Sequence, residues 1–336
     1  MENVFIIAEI GQAHEGSLGI LHSYIDAIAD TGVDAIKFQT HIAEAESSIY
    51  EPFRIKFSKQ DETRIDYWKR MEFSIEQWSE IKSHCMERKV EFMSSPFSVA
   101  AVKLLEEVGQ NFYKIASGEV HNYLMLDRIA RTGKPMILSS GMSSYEEISK
   151  TIDFLKPYGN ELSILQCTTS YPVPPNQVGL NVLQELSERF GIPTGLSDHS
   201  GTIYPSIAAV ALGASIIEVH ATFHKQIFGP DTKASLTIEQ LKELVEGIRF
   251  LETCRANPVD KNSSENYNEL KTIFGKTLSL NSSFKKGHVL SINDLESKKP
   301  GNKGIPASEF EFVIGKKLSR DLEKFSFLTE YDLEVI

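Results

Sequence analysis

The stretch GLSDHSGTIYPSIAAVALGASIIEVHATF, residues 195–223, decides how the rest of the chain is read. It holds two short apolar runs, one closing on Ser197, Asp198 and His199, the other on Glu218 and His220. Between them YPSIAAVALG has the small residues of a helix and ends at Gly213, which can take a left-handed C-cap. If the two runs are parallel strands joined by that helix, both histidines leave the sheet at the same end. Two imidazoles converging there point to a metal site. Side chains alternate along a strand, so Glu218 shares the face of His220 while Asp198 points opposite His199. A single histidine is more often a hydrogen-bonded core residue; two at adjacent strand ends favour ligation.

The same grammar extends outward. Short β-branched runs start at Val4, Asp34, Val90, Phe112, Pro135, Leu162, Pro193 and Ser215, and a longer helical pattern follows each. Eight such units in roughly 250 residues predict a (β/α)8 TIM barrel, whose reactive groups sit at the C-terminal strand ends. The polar residues obey that rule: Glu9; Lys37 and Gln39; Ser94 and Ser95; Lys114, Ser117 and Glu119; Ser139 and Ser140; Thr168 and Thr169. A doubly wound sheet is the alternative, but no glycine-rich dinucleotide or P-loop motif follows the first strand. The longest interruption, 42–73, exceeds a simple βα loop; a lid or a solvated excursion fits it equally well. The barrel is expected over 1–255, a polar linker over 256–276 and a small β-rich domain over 277–336. Within the last, KKGHVLSINDLE from Lys285 and EKFSFLTEYDLE from Glu323 share the frame L-[ST]-x-x-D-L-E, an internal duplication. Alone this domain is marginal in size and needs a surface to dock on.

The 336 residues are 41% hydrophobic and 24% charged, an ordinary globular composition with ample core. The N-terminal run lacks a basic leader and no apolar stretch reaches a membrane span, so a cytoplasmic enzyme is expected. Cys85, Cys167 and Cys254 are odd in number and far apart, which argues against a disulfide framework or a thiolate zinc site. A formal net charge of −11 disfavours nucleic acid and anionic membranes, so an anionic substrate would need local positive contacts.

Lys37 and Lys114 supply such contacts. An ammonium within an apolar strand must meet an anion or lie at the rim. With Ser95, Ser117, Ser139, Ser140 and Ser197 the two lysines outline a phosphate or carboxylate site; the plainer reading pairs Lys114 with Glu119 or Lys37 with Glu9. His199 and His220 suit a hard divalent cation, Mn2+ or Mg2+, with Zn2+ and Fe2+ also compatible. Glu9 and Glu119 are candidate acid or base groups. A Schiff-base lysine would make the protein an aldolase, but the histidines then lack a task. His14, His41 and His224 lie near the mouth, where core and site roles weigh about equally; His84 and His288 read as surface or packing residues.

At this point IIAEIG with HEGS, IKFQTHI, SSPF, YKIASGE, KPMILSSGM, LQCTTSYPVPP, GLSDHS, AVALGASIIEVH, GPD and the tail KKPGNKGIP resemble the sialic acid synthase family across almost the whole chain. The resemblance implies a TIM barrel followed by an antifreeze-like domain, and a homodimer in which that domain covers the partner's site. It implies condensation of phosphoenolpyruvate with an N-acylated amino sugar: N-acetylmannosamine, or the legionaminate or pseudaminate precursor. By resemblance His199 and His220 hold the metal, and Lys37, Ser95, Lys114, Ser117, Ser139, Ser140 and Ser197 contact phosphoenolpyruvate. Glu9, Gln39, Glu119, Tyr171 and Asp231 line the sugar and the reacting centre. Three departures bear on the sugar: Thr169 where many relatives have Asn, Val219 before the second histidine, and Lys299 where some members use an Arg on the acyl group. A non-catalytic sugar-binding protein is the more remote alternative.

Overall fold

Eight parallel strands alternate with helices, as the periodicity requires: β1 Phe5–Glu9, β2 Ala35–Thr40, β3 Glu91–Pro96, β4 Tyr113–Ile115, β5 Met136–Ser139, β6 Leu162–Cys167, β7 Thr194–Asp198 and β8 Ile216–Thr222. Their hydrogen-bonded order, β3-β2-β1-β8-β7-β6-β5-β4, is the cyclic order of a (β/α)8 barrel. This computed structural model describes residues 3–55 and 57–334. A two-residue strand, β9 (Leu236–Thr237), adds to the end of β8. The chain divides into two units, Met1–Asn257 and Pro258–Ile336. No helix among the described residues is long and apolar enough to cross a membrane.

Strand parity builds the barrel in layers. Outward-facing Ile6, Ala8, Ile36, Phe38, Ile217 and Val219 join the helices in one large core. Inward-facing Ile7, Ala35, Met93, Ile137, Leu165 and Ile216 form a separate apolar plug. Two residues further along each of those strands the interior turns polar, giving Glu9, Lys37, Ser95, Ser139, Cys167 and Glu218. Gly195 is required where β7 meets this plug, because a Cβ there would overlap the Ile216 carbonyl. The joining helix, Tyr204–Ala211, stops at Leu212 and Gly213 takes φ +104°, the left-handed conformation its sequence suggested. Gly109 and Gly191 close their helices the same way.

The 42–73 insertion has a built interior. Thr63 and Asp66 form a capping box that starts the helix Arg64–Met71. Tyr67, Trp68 and Met71 on that helix bury against Ala43, with Phe53, Phe57 and Ile65 packed around them. A purely solvated excursion would have no such cluster.

The second unit begins earlier than expected. The segment foreseen as linker holds a short helix, Asn268–Phe274, tied down where the Gly301 N–H donates to the Thr272 carbonyl at 2.9 Å. Beyond it β10 (Thr277–Leu280) and β11 (Leu295–Lys298) pair antiparallel over a leucine-rich core. The internal duplication has a physical meaning. Ser291 with Asp294 and Thr329 with Asp332 form the same capping box on a 3-10 turn, behind a buried Leu290 and Leu328 respectively. Much of the expected β content is carried by isolated bridges such as Ser279 to Phe327 and Leu318 to Leu333.

Candidate active site

Register assembles the site at the C-terminal rim. Glu9 lies level with Lys37 on one side and His220 on the other, Ser197 level with Glu218, and Gln39 level with Ser95. Glu9 is the hub. Its Oε1 accepts from Lys37 Nζ at 2.9 Å and Gln39 Nε2 at 2.5 Å, and its Oε2 accepts from His220 Nε2 at 3.0 Å. Burial pushes this carboxyl upward, but His220 and Lys37 outweigh it and hold Glu9 well below the usual carboxylate range. The plainer pairing of Lys37 with Glu9 is therefore real, and it leaves Lys37 inside the site.

Lys114 does not pair with Glu119. Its ammonium lies 3.2 Å from Glu218 Oε1 and donates to Ser139 Oγ at 2.7 Å, with side-chain exposures of 2% for both Lys114 and Glu218. Lys37 reaches Glu218 Oε2 at 3.7 Å, and Ser197 donates to Oε1 at 2.8 Å. The two ammoniums differ. Burial depresses both, yet Glu218 and Glu9 together raise Lys37 above its ordinary value, whereas Lys114 stays depressed because Glu218 only partly offsets burial and Lys37 repels it. Lys114 is thus the undercompensated cation. Among the described residues Glu218 Oε2 is buried without a hydrogen-bond partner, with Lys37 Nζ 3.7 Å away, and Glu218 lines the cavity with these residues.

His199 and His220 converge as parity required, with ring centroids 5.0 Å apart and Tyr171 packed 4.4 Å from His199. Burial and the neighbouring His220 keep His199 neutral, well below the ordinary imidazole value. Burial also opposes charge on His220, but Glu9 reverses it and raises that ring. Asp198 faces away, accepting from Ser200 N at 2.8 Å and Ser206 Oγ at 3.0 Å at the head of the next helix. Among the described residues no third His, Cys, Asp or Glu completes a protein cage around a metal. The donor set fits an open divalent site: two imidazoles, one held neutral, with the remaining positions left to substrate and water. The two carboxylates offset much of the charge of the two ammoniums, so a divalent cation would add positive charge for a multiply charged anion.

The cavity is lined by Glu9, Lys37, Gln39, Ser95, Lys114, Ser117, Ser139, Thr169, Tyr171, Ser197, His199, His220 and Asp231. Two expected residues of this unit, Ser140 and Glu119, lie outside that lining. Ser140 faces the opposite way from Ser139, donating to Gln166 Oε1 at 3.1 Å and accepting from Cys167 N at 3.2 Å. Glu119 sits on a 3-10 turn and accepts from Asn122 Nδ2 at 2.8 Å; burial raises its pKa, but it does not line the cavity. Lys299 belongs to the second unit, with its ammonium 4.8 Å from the Phe274 ring centroid. Val219 is buried in the outer core beside Ala8, so this departure from the sialic acid synthase pattern alters packing against the helices and not the sugar side.

Several site residues had weak or no sequence signals. Strand parity puts Glu218 on the face of His220 without pointing to a role; Arg54, Arg64 and Trp68 come from the insertion. His41 is a site residue: it is stacked between Trp68 and Phe97 at 3.8 and 4.4 Å, bonds Glu46 Oε1 at 2.6 Å, and lies 3.2 Å from Gln39 Oε1. His14 is a core residue whose Nδ1 accepts from Gly16 N at 3.0 Å, and burial depresses it to about 3. His224 accepts from Gln226 N at 3.2 Å within its own loop.

The model of the NeuB family matches residues 24–260. The chain is 34% identical to the N,N'-diacetyllegionaminic acid synthase of Campylobacter jejuni, the match covering 98% of this chain and all of that protein. The chain is a member of the NeuB family. Human N-acetylneuraminate-9-phosphate synthase is 33% identical across 97% of this chain and 91% of its own length. The crystal structure of the N-acetylneuraminic acid (sialic acid) synthetase of Leptospira borgpetersenii, in complex with citrate, superposes with a TM-score of 0.71 at 30% identity, covering 80% of this chain and 90% of that one. NeuB membership and these synthase relatives agree with the enzyme expected from the motifs.

Proposed function

We propose that this NeuB-family enzyme condenses phosphoenolpyruvate with an N-acylated amino sugar, forming a nonulosonic acid and inorganic phosphate. The observation that carries this reading is the Lys37–Glu9 and Lys114–Glu218 network beside two converging imidazoles. Lys37 and Lys114, with Ser95, Ser139 and Ser197, are assigned to the phosphate and carboxylate of the donor. Lys114 gains most from an incoming anion because its own counter-charge is incomplete. Gln39, Thr169, Tyr171 and Asp231 are assigned to the acceptor sugar.

C3 of phosphoenolpyruvate attacks the aldehyde carbon of the open-chain sugar, whose oxygen takes up a proton to become a hydroxyl, and water adds to the resulting cationic C2. Glu9 is pinned by three donors and acts here as an orienting carboxylate for Lys37, Gln39 and His220. Glu218, whose Oε2 has no hydrogen-bond partner among the described residues, takes the proton of the water that adds at C2. The tetrahedral intermediate then loses phosphate by C–O cleavage, with the lysines and serines holding its charge. A divalent cation held by His199 and His220, Mn2+ ahead of Mg2+, would supply Lewis acidity toward the aldehyde. The family reading also carries a homodimer served by an antifreeze-like second unit, and a cytoplasmic setting where phosphoenolpyruvate is available.

The test is phosphate release with Mn2+, phosphoenolpyruvate and, in turn, N-acetylmannosamine, the diacetamido precursor of legionaminate and that of pseudaminate. Release with at least one acceptor is the expected result. No release with any of them, while an acylated sugar still binds, would favour a sugar-binding protein without turnover.

A further inference from the structure

Two loops meet across the mouth of the barrel, one after β2 and one after β8. Arg54 Nη2 donates to Asp231 Oδ1 at 2.9 Å, and the same guanidinium lies 4.2 Å above the Tyr171 ring centroid. Phe57 and Phe228, with ring centroids 5.9 Å apart, join the same two loops. The Arg54 side chain is 46% exposed and that of Asp231 17%, and both line the cavity that holds His199 and His220. Among the described residues Arg54 therefore keeps N–H groups without an acceptor, next to a carboxylate that can still accept.

That juxtaposition selects a chemical group. An arginine beside a carboxylate presents donors next to an acceptor, and an amide presents an acceptor next to a donor. A phosphate would satisfy Arg54 but would lie against the Asp231 carboxylate, and like charges repel at that range. A hydroxyl can also donate to Asp231 and accept from Arg54, but through one atom, whereas an amide spans the pair with separate donor and acceptor atoms. We propose that Arg54 and Asp231 together bind the acylamido substituent of the acceptor, its carbonyl on Arg54 and its N–H on Asp231. This rests on the reading that the acceptor is an amino sugar, and it makes Arg54 a residue that determines specificity within the barrel unit.

Calorimetric titration in the presence of Mn2+ and inorganic phosphate, where no turnover occurs, separates the cases. The probes are N-acetylmannosamine, the diacetamido precursor of legionaminate, mannose, and N-acetylmannosamine 6-phosphate. Arg54→Ala is expected to weaken the acylated sugars at least ~10-fold while leaving mannose within about twofold. Arg54→Lys, which keeps the charge facing Asp231 but not the planar fork, is expected to lose most of the same preference. Equal weakening of mannose and the acylated sugars would overturn the proposal in favour of a general closing contact. Weakening of the 6-phosphate alone would reassign Arg54 to a phosphate. Unchanged affinities in the variants, or no wild-type binding of any acylated sugar, would also overturn it. An absence of phosphate release in the turnover assay, with these affinities as expected, would sink the proposed condensation and leave the acylamido site standing.

Discussion

Lys114→Met should lower the stability of the barrel by about 3 kcal/mol and remove turnover, whereas Lys114→Met combined with Glu218→Gln should recover most of the stability and none of the activity. The reason is that removing one member of a buried ion pair leaves its partner as an uncompensated charge, which typically costs more than deleting both. Both side chains are 2% exposed. After the single change, Glu218 keeps only Ser197 at 2.8 Å and the more distant Lys37 at 3.7 Å. The double variant is neutral at that position, so the desolvation problem disappears while the donor site loses a cation and the acceptor of the water proton. Urea unfolding midpoints and phosphate release measured on both proteins check this. A single variant as stable as the double, or a double that still turns over, would show that the pair is not the centre of the donor site.

His199→Ala is the second large effect. The ring is buried, neutral and packed against Tyr171, so its removal should disturb packing modestly yet weaken Mn2+ binding by at least ~10-fold and activity by on the order of a hundredfold or more. Mn2+ binding followed by electron paramagnetic resonance gives a readout independent of turnover. Unchanged Mn2+ affinity together with full activity would remove the metal proposal.

How much of this was legible depends on whether the information was local. Strand ends carry their chemistry in parity, so Glu9, Lys37, Ser95, Ser139, Ser197 and His220 could be placed on the cavity from the sequence alone. The same parity excludes Ser140, the immediate neighbour of Ser139, and places Val219 on the outer face between two inward residues. The partner of Lys114 was not local: Glu218 lies on β8, far along the chain from β4, and only barrel closure brings them within 3.2 Å. Glu119, five residues from Lys114, was the natural guess, but the 3-10 turn Ser117–Glu119 carries it toward Asn122. Arg54 was hidden because the insertion around it has no regular period, and its wall of the cavity depends on Tyr67, Trp68 and Met71 packing beneath it. In the second unit the duplicated frame was visible, and its cause is the paired Ser–Asp and Thr–Asp capping boxes.

The most direct test of the condensation uses phosphoenolpyruvate labelled with 18O in the bridging C–O–P position, incubated with Mn2+ and the acceptor that supports turnover. Addition of water at C2 followed by C–O cleavage retains the label in phosphate, so the 31P resonance of the released phosphate should shift upfield by the 18O isotope effect. Unlabelled phosphate, with the label left on the nine-carbon product or exchanged from it, would mean P–O cleavage and would contradict the account.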